Sequence, residues 1–286
     1  GTINLSRDAN GLFNQQGGSN NYSVSLLNPS SNGILLNVTQ SDPNDRVRNI
    51  RLIMPGFNGI YNEQPFYPPF IDGLRNFSVL RFMGWGATNG ALIYNWRQRA
   101  TPSSASQTHG LGVAYEYSIN LSNEVGADPW FTIPHNATDD YVLQFARLTK
   151  QTLNSSRKVY VEYSNELWNG IPTFTQIDHV QERGLALGLD SNPTKAGRYY
   201  TAKRSAEIFK IFEDEFGSEK YRVVKIIGGH WSDDDVLIDI IDALKNSTIN
   251  GVPVNPFGIN ATAIAISPYV GNGIGEDLVS EGVVST

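Results

Sequence analysis

The sequence predicts an α/β fold, a (β/α)8 barrel with a short N-terminal β segment in front of it. Three observations predict it. From Val47 onward, short apolar strands alternate with amphipathic helices, the pattern of a parallel sheet covered by helices. The strand ends carry Arg81, His135, Glu166, His230 and Tyr269, and parallel barrels hold their working side chains at that end. The first strand is followed by Pro55-Gly56-Phe57-Asn58-Gly59, which is not the glycine fingerprint of a nucleotide-binding sheet. An open doubly wound sheet fits the alternation equally; the strand-end chemistry favours the barrel. Six strand–helix alternations are legible in the 286 residues, so the barrel is expected to be covered only through about strand six.

Residues 1–46 form the N-terminal segment, rich in Asn, Ser and Gly. Two alternating runs, Tyr22 to Leu27 and Ile34 to Thr39, flank a turn at Pro29 to Gly33 and predict a β-hairpin. Ser41 to Asp45 reads as the linker to a barrel domain at 47–286, expected to be incomplete at its C-terminus. Strands are predicted at Val47 to Met54, Phe77 to Met83, Trp130 to Ile133, Lys158 to Tyr163, Arg222 to Ile227 and Ala263 to Ser267. Helices are predicted at Phe66 to Leu74, at Val113 to Val125 with Gly126 as C-cap, and after Thr138. Thr138 can cap that third helix, Asp139 and Asp140 suit its positive end, and Val142, Phe145, Ala146, Thr149 and Leu153 make its apolar stripe. Further helices are expected at about Thr173 to Leu187, at about Arg198 to Phe216, and at Asp233 to Leu244 with Ser232 as cap.

Hydrophobic residues make up 40% and charged residues 17%, a balance that supports a sizeable core. A net charge of −6 argues against nucleic acid or an anionic membrane as the main partner. No apolar run approaches the roughly 18 residues of a membrane span. With no cysteine, disulfides, thiolate catalysis and Cys-based zinc sites are excluded. The four histidines show no ligand spacing, so no metal and no cofactor is expected. No Gly-X-Ser-X-Gly elbow occurs, and Gly271-Asn-Gly-Ile-Gly275 reads as a loop. Asn-X-Ser/Thr sequons stand at Asn4, Asn21, Asn37, Asn76, Asn120, Asn136, Asn154, Asn246 and Asn260, nine in all, against about four expected by chance. The excess favours a secreted, extracellular eukaryotic glycoprotein; the alternative is an Asn- and Ser-rich surface without glycans. A glycan at Asn136 would crowd the neighbouring strand end. A first residue of Gly is expected for part of a longer or processed product, so further domains or subunits are expected partners.

The strongest signal is Lys158-Val-Tyr-Val-Glu-Tyr-Ser-Asn-Glu-Leu-Trp-Asn-Gly170. It reads as a buried strand that gives out at Ser164-Asn165-Glu166. Asn-Glu occurs also at Asn62-Glu63 and Asn123-Glu124, but only the third copy follows a hydrophobic strand. A carboxyl there can work on a glycosidic oxygen while Asn165 holds a sugar hydroxyl. Retaining glycoside cleavage needs two carboxylates about 5–5.5 Å apart, one an acid/base and one a nucleophile, and the acid must keep its proton near neutral pH. Glu162 lies four residues earlier on the same strand face, pointing deeper, where a paired structural carboxylate is expected. A solvated loop carboxylate is the competing reading of Glu166.

These strand ends resemble the retaining glycoside hydrolases of clan A, the cellulase-like superfamily, and within it a group of secreted proteins labelled cellulose-binding. The similar segments are Arg48-Asn-Ile-Arg-Leu-Ile-Met-Pro-Gly56, Leu80-Arg-Phe-Met83, Asp128-Pro-Trp-Phe-Thr-Ile-Pro-His135 and Lys158 to Asn169, across roughly 47–271. The resemblance implies Glu166 as general acid/base beside Asn165, and Arg81 as the group that orients the nucleophile. It implies sugar-binding roles for His135 and Tyr269, and less strongly for His230. It implies a β-linked polysaccharide or oligosaccharide as partner. The clan's nucleophile is a second Glu at the end of strand seven, and the chain departs from that pattern. Glu276 and Glu281 follow Tyr269 too closely, so the nucleophile is expected beyond Thr286. Trp85, Trp168 and Trp231 each follow a strand end and offer flat faces for pyranose rings, with core packing as the alternative. A salt bridge at the rim is the alternative for Arg81, and a structural hydrogen-bonded role for His135, His230 and Tyr269. The rival to an enzyme is a non-catalytic extracellular carbohydrate-binding or structural glycoprotein.

Overall fold

Five parallel strands form the sheet on which the larger part of the chain is built, in the order Ala263–Ser267, Val223–His230, Val159–Tyr163, Asp128–Ile133 and Val79–Arg81. The computed structural model describes residues 2–8, 13–15, 22–25, 30–48, 50–53, 56–57, 59–61, 63–108 and 110–267. The chain divides into two units, Gly1–Pro65 and Phe66–Thr286.

In the first unit, β1 (Thr2–Arg7) pairs antiparallel with β4 (Ile34–Gln40), with Leu5 opposite Leu36. β2 (Phe13–Gln15) pairs antiparallel with β3 (Tyr22–Val24). The expected hairpin between the runs beginning at Tyr22 and Ile34 is therefore replaced by two other pairings. The Ile34 strand takes the alternating Thr2–Arg7 strand as its partner, and the ends of that ladder are tied together. Ser30 donates from its backbone N–H and from Oγ to the Asp8 carboxylate at 2.7 and 2.8 Å. These hydrogen bonds hold the Asp8 carboxyl below its usual range.

In the second unit, α1 (Pro68–Leu74) leads into β5 (Val79–Arg81). Then follow α2 (Tyr115–Val125), β6 (Asp128–Ile133), α3 (Asp139–Thr152) and β7 (Val159–Tyr163). Two helices, α4 (Thr175–Ala186) and α5 (Pro193–Phe216), separate β7 from β8 (Val223–His230). α6 (Asp234–Leu244), a small ladder of β9 (Thr248–Ile249) with β10 (Val252–Pro253), and β11 (Ala263–Ser267) complete it.

This is a half-barrel, and it corrects the expectation of a (β/α)8 barrel. A barrel closes only when its first and last strands pair; here β5 and β11 are both edges of the described sheet. The order-one strand succession is that of half a barrel, so the prediction failed on closure and not on winding. One of the six expected strands is also absent. Among the described residues, 47–53 form no strand, and Ile50 and Leu52 are exposed. Apolar content predicts a strand only where a neighbour accepts its hydrogen bonds, and this stretch joins no ladder.

The core lies between the sheet and its helices. Phe131, Ile133, Val159, Val161 and Tyr163 face the helical layer and are buried, as alternation along a strand requires. Tyr115, Phe131 and Phe145 meet there at centroid distances of 4.2–5.9 Å. Helix ends follow local chemistry. Thr138 Oγ1 accepts from the Tyr141 N–H at 3.2 Å, and Gly126 ends α2 in the left-handed region. Ser232 does not cap α6; the N-cap is Asp233, and Ser232 turns to His230 instead. α4 and α5 cross closely because Gly184 has no side chain: a Cβ there would stand 2.1 Å from the Ala196 carbonyl oxygen.

Candidate active site

β7 delivers the site. Tyr160 and Glu162 alternate with the buried Val159, Val161 and Tyr163, so they point to the concave face away from the helices. The neighbouring strands are in register: Glu162 stands opposite Thr132 of β6 and Ile226 of β8, and Trp130 opposite Arg81 of β5 and Tyr160. The concave face therefore gathers Arg81, Trp130, Thr132, Tyr160, Glu162, Gly228 and His230 from four strands.

Glu162 anchors a hydrogen-bonded network. Its Oε2 accepts from Arg81 Nη2 and from Trp130 Nε1, each at 2.9 Å. The Arg81 guanidinium also lies 4.8 Å from the Trp130 ring centroid. Arg81 Nη2 donates further to Asn165 Oδ1 at 2.9 Å, and Asn165 Nδ2 donates to Asn89 Oδ1 at 2.9 Å. Gln176 of α4 closes the network, donating to Asn89 Oδ1 and to the Asn165 carbonyl at 3.1 and 3.0 Å. Glu162 is 4% exposed. Burial lifts its carboxyl above the ordinary glutamate range; Arg81 and the Trp130 N–H pull it back, and the nearby Glu166 adds to the rise.

Beyond Tyr163 the chain turns sharply. Ser164 and Glu166 take positive φ angles of 57° and 44°, left-handed positions that cost about 1–3 kcal/mol each in residues with side chains. Ser164 is fully buried, and its Oγ has no partner among the described residues. Such local strain concentrates where side-chain direction matters. The turn places Glu166 at the mouth of the concave face, where Asn169 Nδ2 donates to its Oε2 at 2.8 Å.

A cavity of about 390 Å3 opens beside this turn, lined among others by Glu162, Glu166, Trp168, Arg198, Gly228 and His230. Its size is within the range of small-ligand sites. The backbone N–H of Ser232 donates to His230 Nδ1 at 3.2 Å, which makes that nitrogen an acceptor and puts the ring proton on Nε2.

The residues singled out from sequence thus fall into groups. Glu166, Trp168 and His230 line the cavity. Asn165 and Arg81 belong to the Glu162 network behind it. Arg81 engages the neighbouring Glu162, the paired carboxylate expected at that position. His135 is placed elsewhere. It is buried on the helix side of the sheet, 5.1 Å from the His179 ring of α4. Trp85 packs between Phe70 and Phe82 at 6.4 and 5.5 Å, apart from the cavity lining. Trp231 is exposed, next to His230. Tyr269, Glu276 and Glu281 lie outside the described residues, as does the sequon at Asn21. Asn4, Asn37, Asn76, Asn120, Asn154, Asn246 and Asn260 are exposed; Asn136 is half-buried and donates to the Ala91 carbonyl.

Sequence reasoning missed Trp130, Asn89, Gln176 and Gly228. Trp130 was reachable, because it shares strand parity with Thr132 and precedes the strand end by three residues. Asn89 and Gln176 come from a loop and a helix, for which no periodicity reports direction. No family model, curated protein or solved structure matches the chain.

Proposed function

We propose that the chain is a carbohydrate-active protein that acts on β-linked glycosides, with Glu166 as the general acid/base that protonates the leaving oxygen and then activates water, and with a second carboxylate, supplied from outside the described residues, attacking the anomeric carbon. The observation that carries this reading is the joint lining of one cavity by Glu166, Glu162, the Trp168 ring and His230 at the C-terminal end of a parallel sheet. Glu166 is held by Asn169 at 2.8 Å and sits next to the opening, where a carboxyl can reach a bridging oxygen. Trp168 offers an apolar face to a sugar ring, and His230 a polar edge. Arg81 and Asn165 act at one remove, fixing Glu162 and the strained turn. The exposed sequons accord with a secreted glycoprotein that meets extracellular polysaccharide.

The test is reducing-sugar release from cellotetraose and soluble β-glucan by the wild type and by Glu166→Gln. We expect the variant to lose 10²–10⁴-fold in turnover while unfolding at the wild-type urea midpoint. Undiminished turnover in Glu166→Gln would remove the reading.

One observation favours a binding role instead. Glu162, the other glutamate lining this cavity, is engaged by Arg81 and Trp130. A chain that binds cellotetraose at this cavity and releases no reducing sugar would be a binding protein on the same scaffold.

A further inference from the structure

Within the cavity, one wall is defined by what β8 lacks. Gly228 faces the concave side beside Glu162, between Ile226 and His230, which share its face of the same strand; its partner across the ladder is Ala265 of β11. A Cβ built at Gly228 would lie 2.7 Å from Glu162 Oε1 and 3.6 Å from Trp168 Cζ3. The first distance is shorter than a Cβ tolerates, and the second is van der Waals contact. The glycine's φ is not in the left-handed region, so backbone conformation does not require it. Glycine inside a strand weakens the strand, and where no bulge or turn explains it, it marks close approach of another group. Glu162 divides its oxygens. Oε2 takes both the Arg81 and the Trp130 hydrogen bonds; Oε1 faces the Gly228 side.

We infer that the space over Gly228 is a subsite for one hydroxyl of a pyranoside, donated to Glu162 Oε1, with the ring that bears it against Trp168. A carboxylate oxygen is the strongest acceptor a neutral hydroxyl can find, and such O–H···O⁻ bonds are short. Arg81 and Trp130 keep the carboxylate rigid, so little ordering is lost when the hydroxyl arrives. Trp168 is half-buried and meets the His230 ring edge-on at 6.3 Å, which holds it in place as a platform. This inference rests on the reading of the cavity as a sugar site and assigns a specificity contact within it.

The experiment measures binding of methyl β-cellobioside and its monodeoxy analogues by calorimetry, on the full chain carrying Glu166→Gln so that nothing is cleaved. Adding Gly228→Ala should weaken the parent sugar at least tenfold with the melting temperature held within a few degrees. One monodeoxy analogue should bind about tenfold more weakly than the parent sugar to the Gly228 protein, and should show no further loss on Gly228→Ala. Were Gly228→Ala to perturb the fold, Trp168→Leu serves in its place: it should weaken the sugar several-fold, and unchanged binding overturns the platform. Unchanged binding in a folded Gly228→Ala protein, or equal losses for all analogues on both backgrounds, overturns the subsite while leaving the glycosidase reading intact. Failure of the wild type to bind or cleave any of these sugars overturns the glycosidase reading, and the subsite with it.

Discussion

Along β6, the side chains that point toward the helices, Phe131 and Ile133, are apolar and essentially inaccessible. Those that point the other way, Trp130 and Thr132, bond through polar atoms to Glu162 and to the Thr88 hydroxyl, the latter at 2.6 Å. β7 repeats the division, with Val159, Val161 and Tyr163 on one side and Tyr160 and Glu162 on the other. One set of strands thus builds two surfaces with different requirements. The helix-facing surface is fixed by volume, because close-packed interiors register each lost methylene. The concave surface is fixed by donors and acceptors, because a buried polar atom without a partner costs more than a poor fit.

The sharpest way to break this contrast is to truncate one residue on each face. Phe131→Ala removes a ring packed against Phe82, Tyr115 and Phe145. It should cost about 3–5 kcal/mol, read as a lowered urea midpoint at unchanged slope. Glu166→Gln, on the turn beyond the concave face, should move that midpoint little. Equal losses from the two would mean that the faces share one energetic role.

A second prediction concerns a polar group on the apolar side. His135 follows β6 with the parity of Ile133 and lies among helices, 6% exposed, with its Nδ1 unpartnered among the described residues. Burial, and then the neighbouring His179, push its pKa down to about 4. The unfolded chain therefore binds a proton between about pH 6.5 and pH 4 that the fold does not. The stability is fully present above pH 6.5 and is lost as pH falls through that window, by on the order of 3 kcal/mol. Urea midpoints measured from pH 7 to pH 4 should show this slope, and His135→Phe should flatten it. An unaltered slope in the variant would assign the acid sensitivity to other groups.

These two faces also separate what was legible in the sequence from what was not. Strand–helix alternation located all five strands of the sheet, because apolar residues at period 2 report burial directly. It also placed Glu166 at a strand end that opens on a cavity. It failed at the stretch beginning at Val47, where composition suits a strand and the described residues 47–48 and 50–53 join no ladder, and in the first unit, where strand partners lie far apart in sequence. Closure was equally illegible, because pairing between first and last strands leaves no local mark. For the site, parity would have put His135 on the helix side and Trp130 on the concave side. The resemblance gave His135 a sugar-binding role and Trp130 none, and the alternation along the strand overrules both.

The smallest expected effect sharpens the concave side. Arg81→Met removes the guanidinium that gives Glu162 Oε2 one of its hydrogen bonds and Asn165 Oδ1 its donor, leaving Trp130 in place. The Arg81 side chain is 33% exposed, so solvent discounts the loss of the pair, and a carboxyl that takes up a proton escapes the full cost of a stranded charge. About 1–2 kcal/mol should be lost near neutral pH. Because Arg81 lowers a carboxyl that burial has raised, its removal should move the Glu162 titration still higher, followed by carboxyl carbon resonances of labelled glutamate. The sign is opposite to that of His135. A glutamate with a raised folded pKa contributes its stability below the ordinary glutamate range and loses it as pH rises through the folded value. Arg81→Met should carry that loss to higher pH. Glu162 titrating at the same pH in both proteins would mean that the Arg81 contact is geometric only, and that the concave face, like the other, is organised by shape.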